Sequence, residues 1–119
     1  AAPRQTDSVF EAMPVDMSPD AIFPAKNLHF TSVRTAKGNI VLVWGGVGLG
    51  DSVRFNAAMA AAKPVIEVQF FSPGGVLGEG IKIGRSIRSM GLATRVADGA
   101  WCLSACNFMF LGGVVRTVA

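Results

Sequence analysis

The chain has 119 residues, of which half are hydrophobic and 16% are charged, with a formal net charge of +3. This length favours one domain with a substantial core, and the apolar balance predicts that a second copy covers part of its surface. The positive charges are scattered, which argues against nucleic-acid binding. The most apolar stretch, residues 100–115, contains polar residues and a glycine pair, so we expect no membrane span.

The first 27 residues predict an extended arm, because four prolines and four acidic residues disfavour a packed helix or a central strand. The opening residues Ala1-Ala2-Pro3-Arg4 are typical of what remains after signal-peptide cleavage, although a chain boundary of another origin would look the same. Together with a pair of cysteines, this start favours a periplasmic or secreted location. Residues 28–119 are expected to form the folded domain.

A β-hairpin is predicted next, with strands at 28–34 and 40–44 joined by the turn residues 35–39. The glycine-rich run from Gly45 to Gly50 leads into a helix at 53–62, for which Asp51 or Ser52 is a suitable N-cap. The spacing does not fit a dinucleotide-binding fingerprint, since its third glycine falls on Asp51. We therefore interpret the run as a flexible loop and expect no cofactor.

The second half predicts alternating strands and helices. An apolar strand at 65–71 ends in Ser72-Pro73-Gly74-Gly75, and an amphipathic helix follows until Gly91. Gly80 and Gly84 would let that helix approach a neighbour closely. A strand at 92–96, a buried helix at 104–111 and a strand at 114–119 complete the pattern. Right-handed crossovers then give an α/β fold with a parallel sheet and crossover helices.

Two cysteines, Cys102 and Cys106, are each other's only candidate partner. Their spacing brings the two Cα atoms close to the separation that a disulfide accepts. A bridge would staple the loop around Ser104, and two buried thiols that act as small apolar residues are the alternative. One histidine and two cysteines are too few for an ordinary zinc site, so we expect no metal.

The sequence contains four features in an order that is typical of one known superfamily. They are the turn Ser72-Pro73-Gly74-Gly75, the helix after it, the strand with Thr94-Arg95-Val96, and Ser104. Residues 39–116 resemble the ClpP/crotonase superfamily, and more narrowly ClpP-like periplasmic proteins. The resemblance implies a ClpP/crotonase-like domain whose C-terminal part is missing. It also implies self-association, since proteins of this superfamily form trimers, hexamers or heptameric rings.

The resemblance implies roles for three residues: Ser104 at the nucleophile position, with the backbone N–H groups of Gly75 and Ala105 as oxyanion donors. Such donors stabilise the negative charge that develops on a carbonyl oxygen during acyl transfer. The residue types also allow a purely structural role, in which Ser104 caps its helix and the two glycines only form a tight turn.

The chain departs from the peptidase pattern around the serine, where Trp101 and the cysteines replace small residues. The histidine and aspartate of the family lie beyond the helix and strand that follow the serine, in sequence that this chain does not contain. The one histidine, His29, lies far upstream, and Lys82 falls on the polar face of its helix. Cys106 lacks an activating neighbour. Asp51 and Asp98 fit cap and turn roles better than that of a catalytic acid.

These observations predict a serine hydrolase or peptidase of ClpP type, acting on a peptide or protein, whose 119-residue chain is inactive because it has no base for Ser104. The alternative is a noncatalytic, extracytoplasmic binding or scaffold module of the same fold. A crotonase-type acyl-CoA site ranks last, because the sequence contains no adenine-binding or pantetheine-binding signature.

Overall fold

The computed structural model describes residues 26–119, and these form an α/β structure with five strands in one mixed sheet and three helices. The strands are β1 (His29–Thr35), β2 (Gly38–Trp44), β3 (Val65–Phe71), β4 (Ala93–Val96) and β5 (Arg116–Val118). The helices are α1 (Asp51–Ala61), α2 (Leu77–Met90) and α3 (Ala105–Phe110). Most of the predicted extended arm, residues 1–25, lies outside the described residues.

The strands lie side by side in the order in which they occur along the chain. β1 and β2 form the predicted antiparallel hairpin, and β2 to β5 are parallel to one another. The predicted parallel sheet is thus correct for four strands, while the hairpin makes the whole sheet mixed. Because every crossover moves in one direction, right-handed connections put all three helices on the same face of the sheet.

Successive side chains of the central strands β2 and β3 point alternately to the face of the sheet that the helices cover and to the opposite face. Val41, Val43, Val68 and Phe70 belong to the main core together with buried residues of all three helices. Their neighbours in sequence lie on the other face, where Ile40, Leu42 and Phe71 form a second apolar cluster. Residues 40–43 of β2 are buried on both faces and apolar throughout, whereas the buried part of β3 also carries Glu67 and Gln69.

A cluster of polar side chains also lies on the second face of the sheet, which no helix of residues 26–119 covers. The Glu67 carboxylate is 8% exposed and accepts hydrogen bonds from the Gln69 side-chain amide (2.8 Å) and from Arg95 Nε (3.1 Å). Gln69 and Arg95 are register partners on β3 and β4, and Glu67 lies two residues before Gln69 on the same face of β3. The pairing of the charges and the amide satisfies groups that would otherwise be costly to bury.

Close contact between α2 and α3 depends on glycine, as the sequence predicts. A Cβ atom on Gly80 would lie 2.7 Å from the Ala105 carbonyl oxygen, and one on Gly84 would collide with the Phe108 carbonyl oxygen. Gly112 is equally constrained, since its Cβ would collide with the Gly84 carbonyl oxygen. The two helices therefore pack backbone against backbone, and this contact fixes where α3 begins.

We predict that Gly84→Ala lowers the free energy of unfolding by about 2 kcal/mol or more, because the new methyl group must push α3 away from α2. Gly78→Ala is the matched control in the same helix. A Cβ at Gly78 meets nothing within 4 Å, so the helix propensity of alanine should stabilise that variant by up to about 1 kcal/mol. Urea denaturation of both variants measures the difference, and equal effects would contradict the close-packing argument.

Candidate functional site

The turn after β3 is held by its own serine. The Ser72 side chain is fully buried; its hydroxyl donates to the Gly45 carbonyl oxygen (2.6 Å), and Ser72 Oγ accepts a hydrogen bond from the Gly74 N–H (3.1 Å). Gly74 has φ of 97° and Gly75 has φ of 148°, values that side chains rarely allow. The glycine pair is therefore required by backbone conformation. Sequence reasoning gave Ser72 no role, although a serine directly before Pro-Gly-Gly was the available signal.

The glycine-rich run after β2, which the sequence predicts as a flexible loop, is anchored to this turn by backbone hydrogen bonds. The Val47 N–H donates to the Gly74 carbonyl oxygen and the Val76 N–H donates to the Val47 carbonyl oxygen, both at 2.8 Å. These bonds make a short parallel bridge between Val47 and Gly75. The loop thus supports one side of the diglycine turn.

Asp51 stabilises the other end of the same loop. Its buried carboxylate accepts hydrogen bonds from the backbone N–H groups of Gly48 (2.6 Å) and Leu28 (2.8 Å), and from the side chains of Asn27 (3.1 Å) and Arg54 (2.7 Å). The N-cap residue itself is Gly50, and it makes no side-chain cap bond. The predicted cap role for Asp51 is therefore replaced by a bracing role between the loop and the residues that enter β1.

Ser104 lies in a sharp turn between an extended segment and α3. Residues 101–103 continue the sheet beside Ser72: the Ser72 N–H donates to the Trp101 carbonyl oxygen, and the Leu103 N–H donates to the Ser72 carbonyl oxygen, each at 3.0 Å. Ser104 then adopts φ of 53° and ψ of −123°, and the Cys106 N–H closes the turn onto the Leu103 carbonyl oxygen. These angles match the first central residue of a type II′ turn, a position that glycine dominates.

The diglycine turn and the serine turn are in contact. A Cβ on Gly74 would lie 2.7 Å from both Ser104 Cβ and the Leu103 carbonyl oxygen, and 3.0 Å from the Ala105 nitrogen. Among the hydrogen bonds of residues 26–119, none has the Gly75 or the Ala105 N–H as its donor. The Ser104 side chain is exposed and makes no cap hydrogen bond to α3. The exposed Ser104 thus lies against the diglycine turn, and the binding of an oxyanion by the Gly75 and Ala105 N–H groups stays a prediction.

Ser104 occupies the N-cap position of α3 but makes no side-chain cap hydrogen bond, so the structural alternative of a helix cap is met only in position. α3 runs from Ala105 to Phe110 and is therefore shorter than the predicted helix at 104–111. A helix of six residues has a small macrodipole. Any anion held here would therefore depend on the individual N–H groups of Gly75 and Ala105 rather than on the field of the helix.

The two cysteines form the disulfide that the sequence left open against a pair of thiols. Cys102 and Cys106 are bridged, with their Cα atoms 5.2 Å apart. Cys102 lies in the extended segment beside Ser72, whereas Cys106 is fully buried in α3. The bridge therefore joins the two sides of the turn that carries Ser104.

The remaining candidates lie away from Ser104 or have other partners. The His29 ring stacks on Trp44 with ring centroids 4.3 Å apart. Because His29 lies on β1, at one edge of the sheet, β2 and β3 separate it from the serine turn. The side chain of Lys82 is 66% exposed and its ammonium group lies 3.7 Å from the Glu79 carboxylate. Asp98 is in the turn after β4. Within the part of the chain that the structure describes, none of these residues hydrogen-bonds Ser104.

Glu79 lies on the same polar face of α2 as Lys82, but it is buried against α1. It is 8% exposed and accepts a hydrogen bond from the Ser52 N–H at 2.8 Å. This bond, aided by the Ser52 hydroxyl and the positive charge of Lys82, keeps the pKa of Glu79 below its usual value of 4.5. The carboxylate thus satisfies a free N–H group in the first turn of α1 and ties α1 to α2.

We predict that this contact makes part of the stability of the fold acid-sensitive. Because the pKa of Glu79 is lowered by folding, its contribution is complete above the usual value of 4.5 and is lost as the pH falls through the folded-state pKa. Glu79→Gln should therefore be less stable than the parent at neutral pH, with a difference that shrinks as the pH falls below 4.5 and through the lowered pKa of Glu79. Thermal unfolding across that range measures the difference, and a constant gap would refute the assignment.

Comparisons of the chain with models of known protein families, with curated proteins and with solved structures found no match. No helix in residues 26–119 has both the length and the apolar character needed to cross a bilayer. The same residues contain no cluster of three or more histidine, cysteine, aspartate or glutamate side chains that could hold a metal ion. The candidate site therefore rests on its own geometry.

We predict that Ser104→Gly is more stable than Ser104→Ala by about 1 kcal/mol or more, because positive φ with this ψ costs a residue with a Cβ about 1–3 kcal/mol. Glycine recovers that energy, less its own entropic cost in the unfolded chain. Denaturant unfolding of the two variants side by side makes the measurement. An alanine variant as stable as the glycine variant would contradict the strained backbone at this position.

Proposed function

We propose that this chain carries the nucleophile half of a ClpP-like serine hydrolase or peptidase site, in a domain of the ClpP/crotonase superfamily. Ser104 is the nucleophile, and the N–H groups of Gly75 and Ala105 bind the oxyanion. The observation that carries the proposal is the contact between the two turns, which places Ser104 Cβ 2.7 Å from the position of a Cβ on Gly74. The substrate is a peptide or protein.

The available N–H groups support this chemistry. An acyl-transfer reaction develops negative charge on the carbonyl oxygen, and fixed donors near that oxygen lower the barrier. Loss of one such donor typically costs about 2.7–4 kcal/mol of transition-state stabilisation. Both donors here are backbone groups on anchored turns, so they require no reorganisation when charge develops.

The backbone of Ser104 supports the proposal independently. In serine hydrolases with a nucleophile elbow, the serine occupies a sharp, strained turn between an extended segment and a helix, and its hydroxyl is exposed. Ser104 has such a position, with positive φ and an exposed side chain. A serine in a conformation that favours glycine costs about 1–3 kcal/mol, and residues strained in this way cluster at functional sites.

We also propose that the 119-residue chain alone does not turn over substrate. A serine hydroxyl is a weak nucleophile until a base removes its proton. Among residues 26–119 neither the histidine nor any carboxylate bonds Ser104. The base, if the site is active, comes from sequence outside these residues.

The second candidate is a noncatalytic binding or scaffold module of the same fold that acts outside the cytoplasm. The disulfide across the Ser104 turn favours it, because such bonds persist in oxidising compartments and would brace a binding loop. A periplasmic or secreted location fits either function. Self-association is part of both proposals, and the exposed Leu111 and Val115 offer apolar surface for it.

Labelling with a fluorophosphonate probe tests the proposed hydrolase. The longest natural form of the protein should be labelled at one serine, and Ser104→Ala should abolish labelling. Ser89→Ala, which removes an exposed serine on α2, should leave labelling intact. The 119-residue chain should hydrolyse no fluorogenic peptide.

Two outcomes would count against the hydrolase. Absence of labelling in the longest natural form favours the scaffold. Peptide turnover by the 119-residue chain that disappears in Ser104→Ala would mean that a base is present where we see none.

A further inference from the structure

The strained backbone of Ser104 needs an external restraint. The hydroxyl makes no cap hydrogen bond, so the side chain does not fix its own main chain. Two hydrogen bonds act on the turn from the helix side, from the Cys106 N–H to the Leu103 carbonyl oxygen (3.0 Å) and from the Asn107 N–H to the Ser104 carbonyl oxygen (2.9 Å). Both would also form in an ordinary helical start with φ below zero, so they do not by themselves select the positive φ.

The disulfide restrains this turn from both sides. Cys102 is held at the end of the sheet, where it forms a parallel bridge with Ser72. Cys106 is fully buried in α3, and Gly80 and Gly84 press that helix against α2. The ends of the bridge therefore belong to two fixed elements, and only Leu103, Ser104 and Ala105 lie between them.

We infer that Cys102 and Cys106 are positioning residues, whose disulfide holds Ser104 in its strained conformation and which a dithiol can release. The inference adds regulation to the proposed function and rests on it for any effect on activity. In the bridged state the Ser104 Cβ stays beside Gly74, near the Gly75 and Ala105 N–H groups. Without the bridge, Ser104 relaxes to a common backbone conformation and its hydroxyl leaves that position.

The chemistry of release is ordinary thiol–disulfide exchange. A thiolate of the dithiol attacks Sγ of Cys102, the half-buried partner, and the S–S bond breaks so that Cys106 leaves as a thiolate and takes up a proton. The second thiol of the reagent then displaces Cys102, which also becomes a thiol, and closes the reagent's own disulfide. Two electrons and two protons pass from the dithiol to the bridge.

A four-way stability comparison tests the inference without reference to activity. The parent chain and Ser104→Gly are each unfolded by denaturant in the oxidised and in the reduced form. In the oxidised form, Ser104→Gly should raise the folding equilibrium constant about fivefold, because it removes the strain. In the reduced form the same substitution should change the constant by less than about twofold, because Ser104 has already relaxed.

Ser89→Gly is the matched control, since Ser89 is an exposed serine in the last turn of α2, a regular helix without positive φ at that residue. It should lower the folding constant by the same factor in both redox forms. Equal effects of Ser104→Gly in the two forms would overturn the inference. So would global unfolding on reduction, because the bridge would then serve the whole fold rather than one turn.

A spectroscopic measurement follows the same residue directly. The one-bond coupling between Cα and Hα of Ser104 depends on the sign of φ, so its value should change on reduction while that of Ser89 stays constant. An unchanged coupling would overturn the inference.

Fluorophosphonate labelling of the longest natural form, oxidised and reduced, adds the functional readout. Slower labelling after reduction supports regulation, and an equal rate overturns it. If neither form is labelled but the stability and coupling results hold, the proposed hydrolase fails while the disulfide clamp stands.

Discussion

Contact between two backbone turns is the constraint on which the candidate site depends. The diglycine turn after β3 and the serine turn before α3 approach so closely that no side chain fits between them. Each turn is fixed elsewhere: the first by the Ser72 hydroxyl and the Val47 bridge, the second by hydrogen bonds to Ser72 and by the disulfide. A site made of main-chain donors is positioned by the fold itself, because peptide groups have no rotamers to restrict.

Much of the fold could be predicted because its strands and turns carry strong local signals. The apolar run ending at Phe71, the Pro-Gly-Gly turn and the Gly91 stop all lie where the sequence places them. The conformation of Ser104 could not be predicted, since no local pattern signals positive φ at a serine. The burial of Glu79 could not be predicted, because helical periodicity describes one helix, whereas the partner of Glu79, the Ser52 N–H, belongs to another. The disulfide stayed open because spacing alone allows a bridge or two thiols.

The energetics of the site also explain why its parts are so firmly held. A domain of this size is stable by only about 5–15 kcal/mol, and one strained residue uses about 1–3 kcal/mol of it. The structure accommodates that cost next to a close backbone contact, where Gly80 and Gly84 of α2 meet α3. A strained backbone persists where the surrounding structure prevents it from relaxing. The close contact between α2 and α3 therefore helps to keep Ser104 in its unusual conformation.

The glutamate, glutamine and arginine on the helix-free face have a consequence for how the strands find their alignment. Both faces of β3 are buried, so apolar side chains alone would tolerate a shift of the strand by one residue. Such a shift would carry Glu67 and Gln69 into the aliphatic layer beneath the helices, away from Arg95. A buried carboxylate without its cation is far costlier than a poorly packed valine. The ion pair between Glu67 and Arg95 therefore favours one register between β3 and β4 over others that burial of apolar side chains alone would allow.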